Sequence, residues 1–314
     1  MNLPPGYLAR PATPRDLDEV AGLIDAWDIA YCEDADNANR VALQYDWGAP
    51  WVDLDRDTRV VRDHDGTVAA YVALQKPEPT DRFDAFAVVH PEREGLGIGS
   101  ALLGWIETES QRRRPASGAS RLWNSTDATN ERGLELLQDA GFEHIRTFWN
   151  LVMDLDPGFE PGTVPPGTIV RRNVVGQDDR GGHAALEEAF ASHFGNFPQT
   201  FEQWWARGEA DETFDAGLGF VAEVDGQIVG ASINGVIEGV GWVYELGVRP
   251  AYQRRGIGRA LLRHSLAMFA SDGIRVARIG VDTQNATGAL DLYRSVGMRP
   301  IREWRVFEKL LDGG

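Results

Sequence analysis

At 314 residues, 43% of them hydrophobic, the chain is long enough for about two domains with full cores. Its formal charge of −17 disfavours nucleic acid and anionic membranes as partners, whereas an acidic surface suits a cationic amine as substrate. A single cysteine, Cys32, excludes an internal disulfide. With no apolar leader and no run of membrane length, a soluble, cytoplasmic protein is expected.

In chain order, Thr13, Pro14 and Asp16 mark a helix start, with Thr13 as N-cap and Pro14 at the first helical position. Leu17, Val20, Ala21 and Ile24 then recur at helical spacing. A hairpin over 59–74 turns on Asp65-Gly66, and a strand over 85–89 follows. The Gly-rich turn Glu94-Gly95-Leu96-Gly97-Ile98-Gly99 leads into a helix over 100–109. A strand near 120–124, a helix over 131–140 stopped by Gly141 and an aromatic closing strand around 148–153 complete the first half. Residues 158–168, dense in Pro and Gly, read as a linker between domains at 1–157 and 169–314.

The plan then repeats. Leu186, Ala189, Phe190 and His193 share a helix face, and His193 reads as a packing histidine. In the aromatic stretch from Phe194 through Phe197 to Trp205, the adjacent Trp204 and Trp205 are not expected to face one core. A hairpin over 219–233 turns on Asp225-Gly226, followed by a strand over 242–248, a Gly-rich turn and a long helix. A strand over 275–281, a helix over 286–296 capped by Gly297 and a last strand near Val306 end the series. The hairpin turn recurs at an offset of 160 residues and the glycine turn at 159, spacing that means duplicated domains and not a solenoid. Val89, Pro91, Gly97, Ile98, Gly99, Ala101, Leu102 and Leu103 match Val248, Pro250, Gly256, Ile257, Gly258, Ala260, Leu261 and Leu262 without a gap.

The second of these turns carries the chemistry. Gly256 and Gly258 let backbone N–H groups at a helix start approach an anion such as a pyrophosphate, and Arg249, Arg254, Arg255 and Arg259 surround them. A Rossmann fingerprint is excluded by Leu261 at its last position, and no Walker G-K-[ST] occurs. The pattern V-x-P-x-x-Q-x-x-G-x-G-x-x-L-L over 248–262 resembles the pyrophosphate loop of the GNAT superfamily of acetyltransferases. The resemblance implies an α/β fold of two tandem GNAT-like domains, each a mixed, mostly antiparallel sheet flanked by helices. It implies acetyl-CoA as cosubstrate, held by Leu246, Gly247, Val248, Gln253, Arg254, Arg255, Gly256, Ile257, Gly258, Arg259 and Asn285. A backbone N–H of the strand before the loop would meet the oxyanion, and the acyl group would move directly to a primary amine of a small molecule. Tyr293, in L-Y-R-S-V-G-M, resembles the family's acid; Glu245 is the candidate base, with Asp282 as the weaker alternative. Asn285 stands eight residues before Tyr293 where the family more often has seven.

In the first half, Glu245 is replaced by Phe86, Tyr293 by Leu137 and Gln253 by Glu94, which brings a negative charge to a phosphate site. The expectation is one active site, in the second half. A non-catalytic acyl-CoA-binding protein is the alternative of another class. For the acceptor, a cysteinyl glycoside, a peptide α-amine and an aminoglycoside-like polyamine stay open. No cluster at metal-ligand spacing calls for a metal, and a monomer or weak homodimer is expected.

Overall fold

The structure is a computed structural model that describes residues 1–32, 39–49, 51–77, 80–115, 119–196, 198–209, 214–285 and 287–311. The chain forms two compact units, Met1–Phe148 with Arg302–Gly314, and Trp149–Ile301. Its strands are β1 (Leu8–Arg10), β2 (Thr58–Arg62), β3 (Val68–Gln75), β4 (Arg82–Val89), β5 (Ser120–Asp127), β6 (Glu143–Asp154), β7 (Thr168–Arg172), β8 (Phe220–Val224), β9 (Gln227–Ile237), β10 (Val240–Val248), β11 (Val276–Asp282) and β12 (Arg299–Leu311). Its helices are α1 (Leu17–Tyr31), α2 (Asn39–Gly48), α3 (Leu54–Asp57), α4 (Ile98–Arg113), α5 (Glu131–Asp139), α6 (Asp179–Phe190), α7 (Phe201–Glu209), α8 (Ile257–Ser271) and α9 (Ala289–Ser295). Among the described residues no helix is long and apolar enough to cross a membrane.

In the first unit the strand order is β1-β2-β3-β4-β5-β12, and in the second β7-β8-β9-β10-β11-β6. Each unit has a parallel pair, β4 with β5 and β10 with β11; β1 through β4, β5 with β12, and β7 through β10 are antiparallel. The first sheet is covered by α4 on a cluster of Phe83, Leu102, Ile106, Leu122 and Phe307. Its other face carries α1, with Val20, Leu23, Ile24 and Trp27 against Val60 and Tyr71. Burying each such side chain stabilises by about 1.5–3 kcal/mol, so the apolar spacing that marked the helices also fixes which way they face. In the second unit α8 covers Val243, Val248, Ala277 and Ile279, while α6 covers Val221 and Ala231 from the opposite side.

The Asp225-Gly226 turn has φ of 51° and 77°, as a two-residue hairpin requires. Thr13 forms a capping box with Asp16. The helix expected over 286–296 is realised as α9, Ala286 lying outside the described residues, as does Phe197. Trp204 and Trp205 both pack against Phe214, with ring centroids 6.0 Å away in each case, so one partner serves two adjacent rings.

The closing strands differ from the sequence order. Trp304–Leu311 pairs with β5 in the first unit, Val306 opposite Ser125, although it follows every element of the second. The strand expected to close the first half instead contributes Trp149–Asp154 to the second unit beside β11. The reason lies in side chains remote in sequence. Arg302, 6% exposed, donates from Nε to Asp127 at 2.9 Å and from Nη2 to Asp28 at 2.5 Å. Its neighbour Trp304 stacks on Trp27 with centroids 5.8 Å apart, and Lys309 donates to Glu107 at 2.6 Å and to the Ala140 carbonyl at 2.7 Å.

The stretch read as a linker is laid on α8. Arg263 donates to the carbonyls of Pro161 (2.8 Å) and Glu160 (2.6 Å), and its guanidinium lies 4.6 Å from the Phe159 ring. Residues 164–168 (V-P-P-G-T) repeat 3–7 (L-P-P-G-Y), and each leads into an edge strand, β7 and β1 respectively. An Arg–Asp clamp follows in both: Arg10 with Asp16 at 2.8 and 2.5 Å, Arg171 with Asp178 at 2.9 and 2.5 Å. The compact units therefore divide the chain elsewhere than at 157 and 169. Replacing Arg302 with Met would leave Asp28 and Asp127 buried without their cation; the expected cost is about 3–5 kcal/mol, read by urea unfolding of the intact chain.

Candidate active site

The site begins with an irregularity in β10. Its parallel pairing with β11 runs only from Val240↔Val276 to Val243↔Ile279, while its pairing with β9 continues to Val248↔Gly230 after a register shift between Val243 and Glu245. That bulge inserts one residue and exchanges the faces. Before it, a Cβ on Gly241 would strike Phe269 of α8 at 2.7 Å. After it, one on Gly247 would strike Ala189 and Leu186 of α6 at 2.9 and 3.0 Å. Leu246 and Val248 therefore turn to the α8 core, and Glu245 shares the α6 face with Gly247.

Backbone direction follows the same register. Arg249 N–H donates to the Val229 carbonyl at 2.8 Å, which makes Arg249↔Val229, and two residues on Gly247↔Ala231, the hydrogen-bonded pairs. The N–H and C=O groups of Leu246 and Val248 consequently point the other way, into the gap where β11 has left. Gln253 Nε2 donates to the Val248 carbonyl at 3.0 Å and closes the end of that gap.

Beyond β10, Pro250–Tyr252 makes one 3-10 turn, Gln253 is extended, and Arg254 (φ 58°) and Gly256 (φ 84°) are left-handed. The chain so curled sets the first N–H groups of α8 facing outward, where the helix dipole favours an anion. A side chain at Gly256 would be strained by its φ and lie 3.3 Å from Pro165; one at Gly258 would reach Leu292 and Val248 at 3.5 and 3.7 Å. The contacts at Gly258 are ordinary ones, so glycine is called for by the left-handed φ of Gly256, which turns the chain into the helix start. Of the four arginines, Arg249 is committed to Glu188 and to the Ile228 carbonyl (3.1 Å), away from the loop. Arg255 folds back to the Ala251 carbonyl at 2.9 Å and over Tyr252, and Arg259 reaches the Ser295 carbonyl at 3.4 Å.

Tyr293 projects from α9 into the α8-side core and is 5% exposed. Burial raises its ionisation above the ordinary tyrosine range, and among the described residues nothing hydrogen-bonds its hydroxyl. Glu245 stands half-buried on the opposite face of β10, so one strand separates the two candidate catalytic groups. Asn285 lies just past β11: its Oδ1 accepts from Thr287 N at 2.9 Å and its Nδ2 is 3.5 Å from His193 Nε2. Burial lowers the pKa of His193, opposed by the charge of Asp282. His193 thus sits at the end of the site, edge-on to Phe190, and helical spacing alone gave no sign of it. In the first unit β4 pairs with β3 without a register shift, and Phe86 and Leu137 occupy the positions of Glu245 and Tyr293. Among the described residues the one grouping of possible metal ligands is Asp63-His64-Asp65, a turn in which Asp63 already accepts from Thr67 and Arg93.

The chain matches the acetyltransferase (GNAT) family over residues 23–142 and again over 184–298. It is 33% identical to a mycothiol acetyltransferase of Streptomyces griseus subsp. griseus over 236 residues, 74% of each chain. A mycothiol acetyltransferase of Streptomyces avermitilis is 32% identical over 234 residues, 74% of this chain and 73% of that one. Among solved structures, a GCN5-related N-acetyltransferase from Sphaerobacter thermophilus has a TM-score of 0.85 and 30% identity, covering 98% of this chain and 97% of the other. A tandem GNAT protein from the clavulanic acid biosynthesis pathway shares the fold at a TM-score of 0.74 and 15% identity, covering 97% and 98%. The chain belongs to the GNAT family, carries two GNAT units in tandem and is an acetyltransferase.

Because Ala189 and Leu186 already touch the space above Gly247, Gly247→Ala is expected to destabilise by about 1–3 kcal/mol in chemical denaturation, and a neutral result would detach α6 from this strand.

Proposed function

We propose that the second unit transfers an acetyl group from acetyl-CoA to a primary amine of a small molecule by direct attack in a ternary complex. The observation that carries this reading is the gap beside Leu246 and Val248, where β10 runs on past its pairing with β11 into the helix-start turn. Acetyl-CoA, when bound, supplies an activated acyl group, so the chain needs no Ser or Cys nucleophile. The N–H groups from Gly256 to Arg259, with Arg254, Arg255 and Arg259, hold the diphosphate. Val248 and Asn285 align the pantetheine arm, and the Leu246 N–H meets the carbonyl oxygen as negative charge develops on it. Glu245 takes the proton of the amine from the α6 face, and Tyr293 gives one to the departing sulfur from the α8 face.

A second reading, a cysteinyl glycoside of the mycothiol type as acceptor, is favoured by the names of the two Streptomyces relatives. Thiol release from acetyl-CoA across a panel of amines that includes this glycoside separates the readings; silence on every amine would remove the proposed reaction.

Tyr293→Phe keeps the buried ring and is expected to lower kcat by about two to four decades with CoA affinity nearly unchanged. Since burial raises the hydroxyl above its ordinary value of 10.0, its proton is retained through that pH, and kcat shows no alkaline fall from this group below it. Unchanged turnover in the variant removes the tyrosine from the mechanism.

A further inference from the structure

The first unit keeps a cleft where the second has its proposed CoA site. The parallel pairing of β4 with β5 stops at Ala85↔Asn124, and behind it lies a cavity of about 540 Å³ walled by Leu102, Ile106, Leu136, Asn124 and Thr126. The two entry loops have the same backbone. Glu94 and Gln253 have φ of −68° and −65°, and Gly97 and Gly256 both have φ of 84°. Left-handed Gly95 (φ 74°) takes the place of left-handed Arg254 (φ 58°).

What differs is the side chain at the mouth. Gln253 donates to the Val248 carbonyl, a bond that a carboxylate at Glu94 cannot make to the corresponding carbonyl of Val89. Glu94 turns instead to Tyr31, whose hydroxyl lies 2.6 and 2.7 Å from its two oxygens, and to Arg132 at 3.6 Å. Its side chain is 13% exposed, whereas that of Arg132 is 66% exposed, so water screens the arginine charge and the pair offsets the carboxylate only in part. Burial and the bond to Glu94 keep the Tyr31 hydroxyl protonated, so the donor is not lost at working pH.

We infer that Glu94 is the specificity-determining residue of the first cleft: clasped by Tyr31 and Arg132 at the mouth, its carboxylate refuses a diphosphate where the same backbone in the second unit admits one. Like charges meeting in a half-buried cleft repel several times more strongly than in water. The shape of a CoA site is retained and its charge reversed at one position. Only the count of seats rests on the function proposed above.

Titration calorimetry of the full chain with free CoA tests this. The wild-type chain is expected to bind one equivalent. Glu94→Gln, which supplies an amide for the Val89 carbonyl and frees Arg132 for phosphate, is expected to bind a second, tightened about 10–100-fold over wild type. Glu94→Ala removes the charge without offering an amide and should gain the same equivalent more weakly, while Arg132→Ala should stay at one. Two equivalents in the wild-type chain overturn the inference, as does a stoichiometry that neither Glu94 variant changes. No binding in wild type with one equivalent in Glu94→Gln supports the clasp and removes the second-unit reading instead.

Discussion

One extra residue in β10 sets which face each candidate group of that strand occupies in the second unit. Strands in a sheet are held by regular pairing, and β10 satisfies β9 along almost its whole length while deserting β11 after Val243. The backbone groups so released at Leu246 and Val248 are the polar lining of the gap. The same bulge turns Glu245 to the α6 face and leaves Leu246 and Val248 in the core beneath α8. The parting of β10 from β11 makes the opening, as the parting of β4 from β5 does in the first unit without a bulge, and the bulge sets the candidate base on the face opposite Leu246 and Val248.

The two units show how little has to change for such a device to be altered. Their entry loops share φ values to within a few degrees at Glu94 and Gln253, and both lead through a left-handed glycine into the next helix. The first unit lacks the register shift, the carboxylate and the tyrosine. Even its supporting clamp is rewired: Asp16 gathers Arg10 and Arg62, whereas Arg171 gathers Asp178 and Glu223. Backbone geometry outlasted side-chain chemistry, because the turn glycines and the buried apolar faces are constrained by the fold and the mouth of the cleft is not.

Local signals were legible in the sequence. The Asp-Gly turns, the Thr13 cap, the apolar helix faces and the glycine cradle after Val248 each depend on residues a few positions apart, and each is found where that chemistry places it. The repeat offset was legible too, since duplicated turns are counted directly. Partnership over long distances was not. Nothing in the alternation of Trp304 to Leu311 says that these residues pair with β5; that is decided by Asp28 and Asp127, which await Arg302 far along the chain. The bulge was hidden for a similar reason, because Tyr244 looks like any other strand residue. The echo of L-P-P-G-Y in V-P-P-G-T was the one available sign that residues 158–168 do more than join two halves.

A crystal structure of the full chain with bound CoA measures the central claim most directly. The account predicts the diphosphate on the backbone N–H groups from Gly256 to Arg259, the arm passing Leu246 and Val248, and the sulfur at about hydrogen-bonding distance from the Tyr293 hydroxyl. CoA seated instead behind Glu94, or with its sulfur remote from Tyr293, would contradict it.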